Sequence, residues 1–357
     1  MAKKKLRIGV VGVGAISGVH ITGYEKYPNA EIVAFADVVE ANLKSKGEAH
    51  GVPVEGRFTD YKKMIKTMNL DAVSITTPNF MHAPVAIHCL KAGVHVLCEK
   101  PMAMNAVEGQ KVCDAAKGGG VELQIGLHEH FDTDTIFAKK VIDDGRLGNI
   151  YYSRVRAVRR RGCPSWGVFG QMDKQGGGGV IDIGVHEIDR ALYLMGYPKP
   201  VSVSGSIYRT IGNKPGHVGM FGKWDHKTYT VEDFATGLVK FDNGATMNIE
   251  CSFNVNLDKN DQSIHIVGDK GGIGTPPLVM QMEMDGILMD CKPEHVDAML
   301  SPDPHNLFAH QREIFSFCDN ILAGKPVHNA GDDALLTQKI IDGIFKSSET
   351  GKEVIIK

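Results

Sequence analysis

From its amino end the chain alternates short apolar runs with stretches in which apolar residues return every three or four positions. The runs are LRIGVV, EIVAFAD, DAVSIT, VHVLCE and VELQIG, with helical patterns between them, the first ending at about Tyr27. Parallel strands need a crossover, and a helix is the usual one, so this rhythm predicts a doubly wound parallel sheet, a nucleotide-binding architecture. From about His128 the rhythm changes. One helical pattern runs to about Asp144, followed by strand patterns in IYYSRVRAV, PVSVSGSIYR, EDFATGLVKF, ATMNIECSF and SIHIVG, with a hairpin signal, DNG, at 242–244. We expect an α+β domain on a large, mainly antiparallel sheet. Two late helices, from about Phe308 to Leu322 and from Asp332 to Ser348, are expected to pack across the domains, and EVIIK closes the chain as a strand. The resulting division is 1–127 and 128–357, with the late helices free to pack back on the first domain.

A length of 357 residues exceeds what one core usually serves, which agrees with two domains. With 40 basic and 42 acidic side chains the formal net charge is −2, so no overall field draws the protein to nucleic acid or anionic lipid, and a small-molecule partner is expected. The amino end runs at once into a glycine-broken strand and lacks the apolar core of a signal peptide, and no apolar stretch reaches membrane-spanning length. These features predict a cytosolic protein. The seven cysteines are scattered and odd in number, which reads as reduced thiols. Cys163, in a loop marked by glycine and proline, is the one with a prospect of exposure and reactivity, against the tendency of free cysteine to be buried. Arg154, Arg156, Arg159, Arg160 and Arg161 tempt a nucleic-acid reading, but a strand divides them between two faces and no set of stacking aromatics accompanies them. The plain reading, side chains of an ordinary solvated sheet, is preferred, with a neighbouring subunit or an anionic substrate group as the alternative for some of them.

GVVGVGAISG sets Gly12, Gly14 and Ser17 at the spacing G-x-G-x-x-S, between a strand and a helix. Gly12 permits the tight turn, Gly14 lets a pyrophosphate approach the backbone, and small residues at Ser17 or Gly18 let the helix pack closely. Helix N-terminal amides then hold the anion, with Ala15 and Ile16 inside the same turn. The second strand ends at Asp37, where a carboxylate can accept both ribose hydroxyls; a 2′-phosphate would meet a like charge, and Val38 and Val39 offer no compensating arginine. This geometry selects NAD over NADP. Flavin and S-adenosylmethionine proteins use similar turns, so the turn implies a nucleotide-type ligand and leaves the reaction open.

Two further segments, TTPNFMHAPVAIHCLKAGVHVLCEKPMAMN at 76–105 and GGGGVIDIGVHEIDRALYLMG at 176–196, together with the glycine turn resemble the family of glucose-fructose oxidoreductase and inositol dehydrogenase. The resemblance runs over essentially the whole chain. It implies a Rossmann domain followed by a domain whose open sheet serves as an interface in a homo-oligomer, and an NAD cofactor that is in some members tightly held and recycled. It places the family's EKP motif on Glu99, Lys100 and Pro101 at a strand end, where Lys100 can meet a substrate hydroxyl and steady alkoxide charge. Thr77, Pro78, Asn79, His82, Glu99 and Trp166 match positions near the cofactor. Asp182 and His186 stand four apart at the start of a helix whose apolar stripe is Ile181, Val185, Ile188 and Leu192, so both are left to the ligand side. Imidazole titrates near neutrality, which makes His186 the general acid or base and Asp182 its orienting partner and a second hydroxyl ligand. His128, Glu129 and His130 depart from the family's usual residues. His128 is expected to touch substrate, and His130 is left between substrate and a structural role.

A zinc alcohol dehydrogenase is opposed by domain order and by the lack of structural-zinc spacing, so no metal is expected. A non-catalytic NAD-binding regulator would have no chemical need for Lys100, Asp182 and His186 together. The expected reaction is hydride transfer between nicotinamide and a secondary ring carbon of a sugar, glycoside or cyclitol. RRGCPSWGVFGQMDKQ resembles relatives acting on glycosides, which favours position 3 of a glucoside over an inositol.

Overall fold

The computed structural model describes residues 5–296 and 307–356. Contacts divide the chain into two compact units, Met1–His128 with Asn306–Leu335, and Glu129–His305 with Leu336–Lys357.

The first unit is a six-stranded parallel sheet. Its elements are β1 (Leu6–Val11), α1 (Ser17–Lys26), β2 (Ala30–Ala36), α2 (Glu40–Ala49), β3 (Arg57–Phe58), α3 (Tyr61–Thr67), β4 (Ala72–Ile75), α4 (His82–Lys91), β5 (His95–Glu99), α5 (Ala106–Gly119) and β6 (Leu123–Gly126). The strand order β3-β2-β1-β4-β5-β6 is the doubly wound order that reverses between β1 and β4. Ile8, Val10, Val73, Ile75, Val96 and Leu97 are fully buried, as expected where both faces of a parallel sheet are covered. Two short-range signals set helix ends: the Asn105 side chain accepts from the Glu108 amide at the start of α5, and Gly120 takes the left-handed conformation that ends it.

The returning segment belongs to this unit. It carries α9 (Ala309–Ala323), for which α7 and α8 are assigned below, and α9 lays Ile314, Phe317 and Cys318 against Leu6, Ile8, Tyr24 and Tyr27. Gly23 of α1 is required by this packing, because a Cβ there would stand 2.4 Å from Ile314 Cδ1.

The second unit contains α6 (Thr133–Asp143), β7 (Ile150–Val158), α7 (Met172–Gln175), α8 (Val185–Leu194), β8 (Pro200–Tyr208), β9 (Phe234–Phe241), β10 (Thr246–Ser252), β11 (Asp261–Gly268), β12 (Gly271–Thr275), β13 (Val279–Met284) and β14 (Ile287–Cys291). After α10 (Gly331–Thr350), β15 (Val354–Ile355) pairs antiparallel with β8. The nine strands form one sheet in the order β14-β13-β12-β11-β7-β10-β9-β8-β15. The DNG turn joins β9 to β10, with Gly244 at φ +84°. One pairing departs from the antiparallel pattern, since β7 and β10 run parallel at the centre. The patterns also missed β12, β13 and β14. β12 is GGIGT, with no alternation to read, and the last two strands leave Met284, Ile287 and Leu288 exposed at the sheet edge.

The helix bearing the Asp182 and His186 candidates differs locally from the sequence reading. Residues Val180–Gly184 form a single π turn, and α8 begins only at Val185, so the spacing of four is not an α-helical one throughout. The stripe itself holds: Ile181, Val185, Ile188 and Leu192 are all buried.

Replacing Phe317 with Ala should destabilise the first unit by about 3–5 kcal/mol, the cost of emptying a fully buried aromatic site. Urea unfolding followed by far-UV circular dichroism measures it, and a change below about 1 kcal/mol would mean that α9 contributes little to that core.

Candidate active site

In an open parallel sheet, ligands bind beyond the C-terminal strand ends, where the strand order reverses. β1 ends there in the glycine turn. Gly12 has φ +86°, and a Cβ at that position would stand 2.8 Å from the Thr77 amide nitrogen and 2.9 Å from the Thr76 carbonyl, so only glycine fits. Gly14 is the reverse case, with nothing within 4 Å of the same construction, which leaves its backbone open to a phosphate. Ser17 is fully buried, and its hydroxyl donates to the Gly14 carbonyl at 2.6 Å, closing the turn around Ala15 and Ile16. The first amides of α1 carry the partial positive charge of a helix start.

Asp37 stands just past β2. One carboxylate oxygen accepts from the Val13 amide and the other from the Val39 amide, each at 2.8 Å. The carboxylate is thus held against the glycine turn, with lone pairs remaining for ribose hydroxyls. These residues suit the adenosine and pyrophosphate parts of a dinucleotide.

The loop after β4 holds Thr77, Pro78 and Asn79. His82, first residue of α4, is buried and turns both ring nitrogens to backbone carbonyls, Pro101 at 2.6 Å and Thr77 at 2.8 Å. Burial pushes its pKa down, and the two carbonyls oppose that. His82, expected near the cofactor, ties the loop after β4 to the loop after β5 through these two bonds.

At the end of β5, Glu99 is buried and Lys100 half-buried, and the Lys100–Pro101 bond is cis. His20, from the second turn of α1, brings Nε2 to Glu99 Oε1 at 2.9 Å and Nδ1 to Ser74 Oγ at 2.7 Å. The second Glu99 oxygen accepts from the Lys100 amide at 3.2 Å. Burial pushes the Glu99 carboxyl up, but the His20 hydrogen bond and the nearby charges of His20 and Lys100 outweigh it and hold the carboxyl at about 2. Glu99 therefore works inside the protein, beneath Lys100.

His128 stacks on His310 of α9, ring centroids 3.5 Å apart. Burial, then His310, lowers His128 to about 3, and burial lowers His310. Burial and the Glu99 charge raise Glu313, also of α9, well above the ordinary carboxyl range. His128 is uncharged at neutral pH, burial favours the neutral forms of His310 and Glu313 as well, and the three groups surround the Glu99–Lys100 corner. His310 and Glu313 escaped the sequence reading, since they sit more than 100 residues beyond the 176–196 segment; the return of α9 brings them there.

In the second unit the glycine run leads to Asp182 in the π turn and His186 in α8, both half-exposed. Arg159, at the end of β7, feels the Asp182 charge; burial lowers its pKa and Asp182 opposes the fall. Of the arginine run it is the one electrostatically linked to a candidate site residue. Three others are engaged within the second unit: Arg154 with His265 at 3.3 Å, Arg156 with Asp261 at 3.0 Å and Glu250 at 3.1 Å, and Arg161 with Asn256 at 2.7 Å.

Three further expectations are resolved here. Cys163 is buried, its thiol pushed up to about 12 by burial first, then Asp182 and Asp233, which ends its prospect as an exposed reactive thiol. Trp166 is half-exposed and packs edge-on against Phe221 at 5.3 Å. His130 is structural: it is buried, bonds Asp189 at 2.5 Å and stacks on Tyr193, while Thr337 donates to the other Asp189 oxygen. Among the described residues no helix is long and apolar enough to cross a membrane.

Comparisons with known proteins bear on both units. A family model described as an oxidoreductase family with an NAD-binding Rossmann fold matches residues 6–127, and one described as the GFO/IDH/MocA C-terminal domain matches 135–274. The chain is 32% identical to a D-glucoside 3-dehydrogenase of Escherichia coli strain K12, over 99% of this chain and 98% of that protein. It is 26% identical to a myo-inositol 2-dehydrogenase of Thermotoga maritima, over 98% of each. A levoglucosan dehydrogenase solved with NADH and levoglucosan has a TM-score of 0.84 at 22% identity, over 99% of this chain and all of that one, and speaks for the fold.

The depressed Glu99 pKa gives a pH prediction. Its folded value lies below its unfolded value near 4.5, so its contribution to stability is present above about 4.5 and is lost as pH falls toward about 2. Urea unfolding at successively lower pH should show wild type losing its advantage over Glu99→Gln across that window; a constant difference would mean the carboxylate is not held by His20.

Proposed function

Because the chain belongs to the GFO/IDH/MocA family of NAD-dependent oxidoreductases, we propose that it oxidises a secondary ring hydroxyl of a sugar, in first place the C3 hydroxyl of a D-glucoside. The observation that carries this reading is full-length likeness to a D-glucoside 3-dehydrogenase in a chain that has Lys100 at the end of β5 and Asp182 and His186 after the glycine run. A cyclitol substrate is the second reading, supported by the full-length likeness to an inositol dehydrogenase.

Bound NAD supplies the acceptor for the hydride leaving the substrate carbon. Gly12, Gly14, Ala15, Ile16 and Ser17 seat its pyrophosphate on the α1 amides, and Asp37 takes the adenosine ribose hydroxyls. Thr77, Pro78 and Asn79 border the nicotinamide half, with Trp166 as a further contact. His186 removes the hydroxyl proton, and Asp182 orients the imidazole and binds a second hydroxyl. The Lys100 ammonium donates to the oxygen as negative charge develops, the kind of stabilisation that is strongest where water is excluded. Neutral His128 donates or accepts a hydrogen bond to a further hydroxyl without drawing charge from Lys100. The reverse reduction uses the same groups.

We place the protein in a reducing, cytosolic setting, which suits its seven free cysteines, and expect self-association through the sheet of the second unit. One face of that sheet buries Ala235, Val239, Met247 and Ile249, while Leu238 and Lys240 stand exposed on the opposite face.

His186→Ala and Lys100→Ala should each lower turnover by a factor of about 100 or more, as for loss of an acid-base or charge-stabilising group. NADH formation with methyl β-D-glucopyranoside, free glucose and myo-inositol, with product mass, measures this and ranks the substrates; a loss below about tenfold would remove either residue from the chemistry. Asp37→Ala should narrow the preference for NAD over NADP, and an unchanged ratio of kcat/KM would show that Asp37 does not meet the ribose.

A further inference from the structure

Glu232 lies immediately before β9 and is 1% exposed, yet no motif draws attention to it. Its carboxylate faces the glycine run: one oxygen accepts from the Gly178 amide at 2.7 Å and the other from the Val180 amide at 3.1 Å. Gly178 in turn accepts at its carbonyl from the Asp182 amide at 3.0 Å. A chain of hydrogen bonds thus runs from Glu232 through Gly178 to Asp182, one turn before His186.

The glycines explain why a side chain from another element can grip this backbone. A Cβ on Gly178 would stand 2.4 Å from the Glu232 carbonyl, one on Gly179 2.7 Å from the Phe253 amide nitrogen, and one on Gly184 2.5 Å from Cys251 Sγ. The segment 178–184 therefore lies directly on the β9 and β10 backbone. Its opening π turn leaves amides without the ordinary helical partners, and the Glu232 carboxylate takes two of them.

We propose that Glu232 is a positioning residue for the reaction, clamping the backbone of the glycine run so that Asp182 and His186 are held in working geometry. This rests on the oxidoreductase reading above, and it adds to that reading a residue that touches neither substrate nor cofactor.

Burial pushes the Glu232 carboxyl up to about 7, the Val180 and Gly178 amides pulling the other way and Asp233 adding to the rise. The other titratable groups that interact with it are Tyr229 and Cys251, both of which burial keeps protonated at neutral pH. Protonation turns one acceptor oxygen into a donor facing an N–H, so one arm of the clamp is lost below about pH 7. The sign for stability is opposite. With its folded pKa above the unfolded value near 4.5, Glu232 stabilises the fold at lower pH, and that contribution is lost as pH rises through about 7. Holding the ionised form thus costs stability in the pH range where the clamp is complete, as expected of a group retained for geometry.

The test uses the full chain and its Glu232→Gln variant. Amide exchange of peptides covering 176–184 is read by mass spectrometry, and turnover of methyl β-D-glucopyranoside with NAD is read across pH 6 to 9. Far-UV circular dichroism and the urea midpoint report that the second unit of the variant is folded, and NADH binding reports the first. We expect exchange in this segment to quicken by about tenfold or more, kcat to fall by a similar factor with KM within about threefold, and the acid limb of kcat to become shallower in the variant, which keeps the His186 step and loses that of Glu232. Unchanged exchange, with or without a fall in kcat, would overturn the proposal, as would an acid limb identical in both proteins. Should the variant not fold, wild type at pH 6 and pH 8 decides: after correction for intrinsic rates, protection of 176–184 should be lower at pH 6, and equal protection overturns the clamp. If the glucoside is not oxidised at all, the substrate reading fails, and the exchange measurements still decide the role of Glu232.

Discussion

The hydrogen bond between His20 and Glu99 is the contact on which the cofactor-binding unit turns. An unpaired carboxylate in an apolar interior would cost several kcal/mol or take up a proton. Glu99 stays ionised because His20 reaches it from α1 and the Lys100 amide from the next residue. The helix that opens on the glycine turn and the strand that ends at Lys100 are thereby joined by one buried polar link, with Ser74 and Tyr24 extending it to β4. Two side chains, His20 and Glu99, thus make a hydrogen-bonded path from α1 to the Lys100 amide.

The second unit meets the same need, placing polar groups at fixed points, through backbone. Asp182 and His186 follow a glycine run lying flat on the sheet, and the sheet returns the Glu232 carboxylate to the run's amides. The adjacent Asp233 does the same for another loop, accepting from the amides of Thr210, Ile211 and Gly212. Two successive carboxylates of one strand entry therefore organise two loops. Both are buried, and each is tolerated because backbone N–H groups satisfy its oxygens.

Around these anchors the protein is economical with charge. Burial holds His128 and His310 low and Glu313 high, so the charge of their corner is centred on Glu99 with His20 and Lys100. Neutral groups of this kind supply dipoles to a corner without adding a competing charge. The histidine-rich composition of the 128–130 segment is divided by burial into two roles: His128 is a neutral hydrogen-bonding ring, and His130 is locked to Asp189.

Local pattern was enough for the alternating βα order, the glycine turn, Asp37 at a strand end, the EKP exit and the apolar stripe through Ile181, Val185, Ile188 and Leu192, because each depends on periodicity or on a few consecutive residues. Tertiary structure alone decided the rest. It brought α9 onto the first unit, and with it His310 and Glu313, through apolar contacts that no short window contains. It buried Cys163 within its unit, turned His82 inward to two carbonyls and wound 180–184 as a π turn against β10. The functional weight of Glu232 was equally illegible, since a glutamate at a strand entry has no pattern, and its partners are backbone amides some fifty residues away. Burial and hydrogen-bond satisfaction are properties of the assembled core, and a sequence displays them only where the chain's neighbours in space are also its neighbours in order.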